Sequence, residues 1–437
     1  MFEKESAMTQ VLKSARVLDS KGGVEDGAYP ADILVEGGYI RRIAHHLEVP
    51  DGAAVMDASH FLVTPGLVNA HGHLAMTLLR GLADEVPLQE WLTRYMFPRE
   101  AHMNGDDVYY GTLLGLAEGI MSGTTAFAEM YFHEDDVARA VTEAGVRANL
   151  CIGASSSPDD AGKMKACEDF VLRWNGREGG RIRAGFGPHA PYTTTPSFVR
   201  ENFERARDLG VVVQLHLHET RHELEQFADQ YGASPITYYA DQGLFDAPPQ
   251  LLAAHCVHMT ARDAGILRAA GASISLNAQS NLKLGSGIPD YRLLLDSGVN
   301  LCVGTDGAAS NDNCDMLEEV RVLGLLMKGS GMDPSGVSNA QLLAMATSNG
   351  AAALGFDGVG ALEEGAAADL VLWNLDDESF CPGNNTLSHL VWSANSRAAD
   401  SVMVAGSWVM KHRELTGIDL DRVQSEVATR ARRLAQA

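Results

Sequence analysis

Two histidines one residue apart, His71 and His73 in "GLVNAHGH", are the first residues whose types and spacing invite chemistry. Alternate residues of an extended strand share a face, so both imidazoles can reach one ion. Imidazole nitrogen binds zinc at about 2.0–2.1 Å. Alone the pair is a weak signal, because histidines this close arise often on ordinary surfaces. Further on, His216, His218 and Glu219 follow the apolar run "VVVQL", His255 ends "LLAAH", and Asp306 follows "NLCVGT". If those runs are strands that end at one mouth, core packing is a poor account of so many reactive residues. His216 and His218 alternate like the first pair, so spacing alone does not say which of them binds metal.

Two other zinc patterns fail. "HETRH" (His218 to His222) matches His-Glu-x-x-His, which works only on a helix, where positions four apart share a face. Here the preceding residues are strongly β-forming, so His218 is expected at a strand end. "HLE" at His46 opens like the His-x-Glu zinc signature, but no Pro-Cys-x-x-Cys follows it.

The elements that must position these residues follow from apolar runs. Between Pro65 and about Leu354 the chain has "GLVNAHGH", "TTAFAEMY", "RANLCIGAS", "RIRAGFGPHAP", "VVVQLHLHE", "LLAAHCVH", "SISLNAQSN" and "NLCVGTDG". Most are followed by a helical pattern, and buried parallel strands read as such continuous runs. An open doubly wound sheet competes with a closed (β/α)8 TIM-like barrel. The polar residues decide: His71 and His73, Glu129, His189, His216 to Glu219, His255, Asn277 to Asn281 and Asp306 stand at run ends. In a barrel those ends line one mouth. The segment 78–100, with Trp91 and Glu100, is expected to be irregular and to cover that mouth. Near the start, "ADILVEGGYIRRI" is a hairpin signal around Gly37-Gly38, and "ADLVLWNL" and "DSVMVAGSWVMKHRE" are β-like near the end. Neither end holds enough apolar residues for its own core. The expected organisation is residues 1–64 and 357–437 pairing into a small β-sandwich with a terminal helix, and a barrel over 65–356 between them.

Bulk properties exclude several classes. At 437 residues, 46% apolar and 21% charged, the chain is an ordinary globular protein. A net charge of -23 argues against nucleic-acid binding, which needs a basic face. The six cysteines are scattered without a Cys-x-x-Cys pair, as expected in a reducing cytosol. "MFEKESAMTQ" lacks the apolar core of a secretion signal, and no apolar run is long enough for a bilayer. The expected location is the cytoplasm, with no membrane partner; a homo-oligomer is compatible with everything above.

The segments "PGLVNAHGH", "LHLHET", "AAHCVH", "NLKLGSGI" and "GTDGAASN" resemble the amidohydrolase superfamily, and within it the 5'-methylthioadenosine/S-adenosylhomocysteine deaminase branch. The resemblance runs over nearly the whole chain. It implies a single divalent metal, most simply Zn2+, on His71, His73, His216 and Asp306. It places a catalytic carboxylate three residues after the ligand histidine, at Glu219, and so favours His216 over His218. Relatives with two metals bridge them by a modified lysine at the end of the fourth strand; "GPHAP" here has none.

On this reading Asp306 and His255 take the proton from the attacking water, and Glu219 protonates the purine ring. The resemblance also makes His189 and Glu100 nucleoside contacts, Glu100 through the ribose hydroxyls. Trp91 is a candidate packing surface for the substrate, although a tryptophan in an amphipathic segment is usually core. Ser280 and Asn281 are expected to line the pocket. The plain alternative for Glu219 is a carboxylate at a helix N-terminus. One departure concerns the substrate tail: branch members that use the homocysteine compound carry arginines near the third strand and its following loop, whereas here the stretch "CIGASSSPDDAGKMKACEDF" contains no arginine, only Lys163 and Lys165. Methylthioadenosine, adenosine and 5'-deoxyadenosine become comparable candidates. The rival functions are a hydrolase of another amino- or chloro-substituted ring, and an inactive metal-retaining nucleoside binder.

Overall fold

The computed structural model of the protein describes residues 9–18 and 27–436. The stretch read above for a secretion signal lies outside these up to residue 8. Five strands come first: β1 (Gln10–Leu18), β2 (Ala28–Glu36), β3 (Tyr39–Ala44), β4 (Ala54–Asp57) and β5 (Phe61–Pro65). The eight apolar runs then form eight parallel strands in chain order: β6 (Leu67–Asn69), β7 (Thr124–Tyr131), β8 (Arg147–Ala154) and β9 (Ile182–Pro188), followed by β10 (Val213–Leu217), β11 (Leu251–His255), β12 (Ser273–Leu276) and β13 (Asn300–Val303). The last four are β14 (Leu370–Asn374), β15 (Ala399–Val404), β16 (Ser407–Lys411) and β17 (Glu414–Leu415).

Every residue of β7, β10, β11 and β12 is buried, because helices cover the outside and side chains fill the inside. Small residues such as Ala70, Ala126 and Ala128, with Val68, Leu252 and Cys302, plug the barrel interior. The ring closes between β6 and β13 just beyond their ends. Ala70 N–H donates to Val303 C=O (2.9 Å), and Asp306 N–H donates to His71 C=O (2.9 Å). Gly304 permits this seam, since a Cβ there would lie 2.5 Å from His71 N.

Strands from both ends form one continuous sheet in the order β17-β16-β15-β14-β5-β1-β2-β3, with β4 also paired to β1. The register of β1 shifts between Leu12 and Ala15, so its first half pairs with β4 and its second with β5. Period-2 alternation gives the sheet two apolar faces. Leu12, Val17, Ile33, Val63, Leu370 and Leu372 build a core of their own, whereas Leu18, Leu62, Val371 and Trp373 belong to the main core with the barrel. Arg147 of β8 joins the two parts: its guanidinium grips the buried Asp369 carboxylate at 2.6 and 3.0 Å.

The segment expected to be irregular is ordered in large part. It makes a 3-10 turn at Leu74–Leu79, then runs helically from Leu88 to Glu100, with a π-helical stretch at Trp91–Met96. Lys283 ties its loop to the barrel rim by pairing with Asp84 (3.0 Å) and with Asp312.

Candidate metal centre and active site

His71 and His73 lie just past β6 rather than within it, His216 lies inside β10, and Asp306 is three residues past β13. The chain end of β11 and the turn after β13 are sharply bent: His255 and Asp306 take positive φ of 70° and 63°. Strain of this kind persists where the surroundings over-determine it.

Four donor atoms converge. His73 Nε2 is 3.3 Å from His216 Nε2 and 3.3 Å from Asp306 Oδ1, and His71 Nε2 is 3.4 Å from the same oxygen. Two ligands at about 2.0–2.1 Å from one ion that subtend a tetrahedral angle stand roughly 3.3–3.4 Å apart, the spacing of these three pairs. The tautomers fit as well. His73 Nδ1 donates to Met130 C=O (2.6 Å) and His216 Nδ1 to His189 C=O (2.7 Å). Their Nε2 lone pairs therefore face each other, which repels unless a cation lies between. His71 Nε2 is buried and has no hydrogen-bond partner. Burial pushes the His71 imidazole down to about 4, favouring the neutral form that a metal ligand needs. The residues present fit a divalent cation.

His218 is elsewhere. With φ 52° it turns away after β10, and both its ring nitrogens are used: Nδ1 donates to His258 C=O (3.1 Å), and Nε2 accepts from Ile236 N–H (3.3 Å). His222 lies in the helix Arg221–Tyr231 and is exposed, so the zinc-protease pattern does not form.

Beside the cluster, Glu219 Oε2 is 3.9 Å from His255 Nε2. Burial raises the Glu219 carboxyl and Asp306 adds to this, against the opposing pull of His255. For His255, burial disfavours the charged ring, but Glu219 and Asp306 outweigh it and hold the pKa above the usual value. Burial likewise works against the Asp306 anion, yet His71, His255 and His73 hold its carboxyl well below the usual range. The Glu219 backbone is fixed by Glu223, whose carboxylate accepts the N–H groups of His218 (2.8 Å) and Glu219 (2.9 Å).

His73, His189, His216, Glu219, His255 and Asp306 all open into one cavity with about 850 Å³ of atom-free space. Trp91, Leu88, Leu92 and Phe97 of the covering helical segment form part of its wall. The Trp91 indole N–H is buried there without a partner. Glu100 also reaches the cavity and accepts a hydrogen bond from Tyr131 Oη (2.7 Å), while burial raises its carboxyl. His189 Nδ1 is bonded to Thr193 Oγ1 (2.8 Å).

Ser280 and Asn281 do not line the cavity as expected. They stand behind it, Ser280 Oγ donating to Asp306 Oδ2 (2.6 Å) and Asn281 Oδ1 accepting from His255 Nδ1 (3.0 Å). Glu223 and Tyr131 are further participants that the sequence reading missed. The Glu223 signal was present, as a glutamate at the third position after the capping Thr220. No lysine or arginine lines the cavity among the described residues. Lys163 donates to the C=O of Ser155 in the wall (2.6 Å), and Arg173 pairs with Asp135 on the surface (3.0 Å).

Comparison with known proteins identifies the family of the whole chain. The amidohydrolase family model matches residues 62–409. A protein of Desulforudis audaxviator named 5-methylthioadenosine/S-adenosylhomocysteine deaminase is 43% identical over 436 residues, covering 98% of this chain and 100% of its own. One of the same name from Carboxydothermus hydrogenoformans is 39% identical and covers 98% of both. A solved structure of an adenosine deaminase from Xanthomonas campestris with bound zinc superposes with a TM-score of 0.92 at 30% identity, over 98% of this chain and 99% of that one. No helix among the described residues is long and apolar enough to cross a membrane. With a matching model over most of its length and relatives of about 40% identity over nearly the whole chain, this chain belongs to the amidohydrolase family.

Proposed function

We propose that the chain is a mononuclear zinc aminohydrolase that replaces the 6-amino group of an adenine nucleoside by oxygen and releases ammonia. The observation that carries this reading is the close approach of His73 to His216 and Asp306 and of His71 to Asp306, at 3.3, 3.3 and 3.4 Å, with Glu219 and His255 beside them in the same cavity. The names of the relatives and of the zinc-bound neighbour support the substrate class. Bound zinc lowers the pKa of its water from about 15.7 toward roughly 7.

The chain's own groups do the rest. Asp306 and His255 accept the proton from the attacking water. Glu219, raised by burial, gives its proton to ring N1 as water adds at C6. It then takes up the second proton of that water as the 6-oxo group forms and delivers it to the amino group, which leaves as ammonia; the proton held by Asp306 and His255 then restores Glu219. Glu100 lines the cavity as an acceptor for ribose hydroxyls, and Trp91 offers a packing surface in its wall. His189 completes the wall toward the ring. We read the barrel as residues 65–356, flanked by one small domain from 1–64 and 357–437. Its free, mostly buried cysteines suit work in the cytoplasm.

The substrate tail would meet a wall without lysine or arginine among the described residues. Charge-assisted bonds to a carboxylate are worth about 1.5–3 kcal/mol each, and about 1.4 kcal/mol is one decade of affinity. Methylthioadenosine is therefore expected to show at least about tenfold higher kcat/KM than S-adenosylhomocysteine. The test is ammonia release from both compounds, adenosine, 5'-deoxyadenosine and guanine, using enzyme whose metal content has been measured. Two metals per chain would defeat the mononuclear reading. A preference for the homocysteine compound would bring Lys163 or Arg173 into the pocket, and turnover of guanine alone would overturn the substrate class.

A further inference from the structure

The helix Ala278–Lys283 follows β12 and makes little more than one turn, yet it touches both proton-handling groups. Residues at i, i+3 and i+4 of a helix share a face, and here they are Asn277 at the cap, Ser280 and Asn281. Asn277 Oδ1 accepts the backbone N–H of His255 (3.3 Å) and its Nδ2 donates to Gly304 C=O (2.9 Å), so it spans the ends of β11 and β13. Ser280 and Asn281 reach from the same face to the side chains of Asp306 and His255.

The two oxygens of Asp306 are used differently. Oδ1 faces His71 and His73 and accepts Gly307 N–H (2.8 Å), whereas Oδ2 accepts the Ser280 hydroxyl at 2.6 Å. Rotation about the terminal bond of an aspartate is soft, and bonds on both oxygens fix its plane. Asn281 fixes His255 in the same way by accepting from Nδ1, which leaves Nε2 toward Glu219. Ser280 and Asn281 are themselves held from behind. Glu319, fully buried, accepts from Gln279 N–H (3.2 Å), Gln279 Nε2 (3.0 Å) and Asn311 Nδ2 (3.0 Å). Asn311 Nδ2 also donates to Thr305 C=O (2.7 Å), next to Asp306. A carboxylate is costly to bury, and all three of these donors lie on the two segments that carry Ser280 and Asp306.

We propose that Ser280 and Asn281 are positioning residues: Ser280 sets the plane of the Asp306 carboxylate, Asn281 sets the ring of His255, and Glu319 locks their helix to the loop after β13. The inference rests on the roles proposed above for Asp306 and His255.

The test compares Ser280→Ala and Asn281→Ala with the parent in kcat and KM for methylthioadenosine, and in Tm of the metal-free and zinc-loaded protein. Changing groups that orient metal ligands typically costs about 10–100-fold in affinity or activity. Ser280→Ala is expected to lose about 10–100-fold in kcat with KM within about twofold, and to show a smaller rise in Tm on adding zinc while the metal-free Tm stays put. Asn281→Ala should lose kcat similarly but keep the full zinc-induced rise, because His255 is outside the proposed ligand set. Ser280→Thr, which keeps the hydroxyl, should recover most of the lost kcat. Should Ser280→Ala fail to fold, Ser280→Cys carries the comparison with a weaker donor of similar shape. Equal drops of metal-free and zinc-loaded Tm with kcat within about twofold would reduce both residues to packing and overturn the proposal. Asp306→Asn separates the two levels: if it keeps turnover and the zinc-induced rise, the role given to Asp306 fails, whatever Ser280 does.

Discussion

Glu219→Gln should abolish most turnover while leaving the fold and the metal in place. The side chain leaves a backbone held at two consecutive N–H groups by Glu223, so its exit point does not depend on its own charge. Ser286 Oγ donates to Oε1 at 3.4 Å, and a glutamine oxygen can accept the same bond. Glutamine is nearly isosteric and removes a group that burial already pushes toward the protonated form. What it cannot do is give up or take a proton. A positioned general acid–base group contributes about 10²–10⁴-fold, equivalent to roughly 3–5 kcal/mol of barrier. The assay is steady-state ammonia release from methylthioadenosine with metal content measured on the same samples. We expect kcat to fall by that factor, KM to stay within a few-fold because Glu100 and Trp91 are untouched, and zinc to remain at the parent level. A kcat within tenfold of the parent in the zinc-loaded glutamine variant would refute the reasoning and return the proton to His255.

Other expectations follow from the same geometry. His73→Ala should lose the bound metal as measured by elemental analysis, since it removes a nitrogen 3.3 Å from two of the other donors. If Glu100 binds the ribose, 2',3'-dideoxyadenosine should be a much poorer substrate than adenosine; equal kcat/KM would remove that role. Arg147→Met leaves the buried Asp369 charge without its cation, holding only the Ala405 N–H, and should cost about 3–5 kcal/mol in urea unfolding, with Arg147→Met/Asp369→Asn recovering part of it. Glu134 is pushed up to about 8, first by burial and also by Asp135. The folded chain then keeps a proton that the unfolded chain releases above about pH 4.5, so this group lowers stability as pH rises from there to about 8. Glu134→Gln should flatten that decline by about one proton; an unchanged slope of unfolding free energy against pH would remove Glu134 from it.

The barrel strands were legible because buried parallel strands are continuous apolar runs, and most runs ended in a residue that could do chemistry. His216 and His218 were not separable by spacing, since both satisfy a period of two. The left-handed turn at His218, which sends its ring to His258 and Ile236, decides the matter and has no glycine to announce it. Ser280 and Asn281 were visible as polar residues after a strand, but their partners lie 26 residues away in each case and no spacing rule links them. Glu319 was invisible for the same reason: a glutamate of the pair Glu318-Glu319 in the first turn of a helix reads as solvent-facing until three donors are placed around it. The covering segment was misread as irregular because Pro87 and Pro98 interrupt its pattern, one before its helix and one inside the first turn of its last piece.

The pairing of β5 with β14 sets a timetable for the ribosome. β5 is complete once Pro65 has emerged, but the strand that covers its free edge, from Leu370↔Pro65 to Asn374↔Phe61, is roughly 300 residues downstream. At about 5–20 residues per second, that edge waits about 15–60 s for its partner. Thr64 waits as long for the Trp373 indole that will donate to it. During that interval the nascent chain presents an open strand edge of the kind that recruits other strands. Pulse-labelled chains stalled before Leu370 should therefore be captured by holdase chaperones or sediment, and chains stalled beyond Val404 should not.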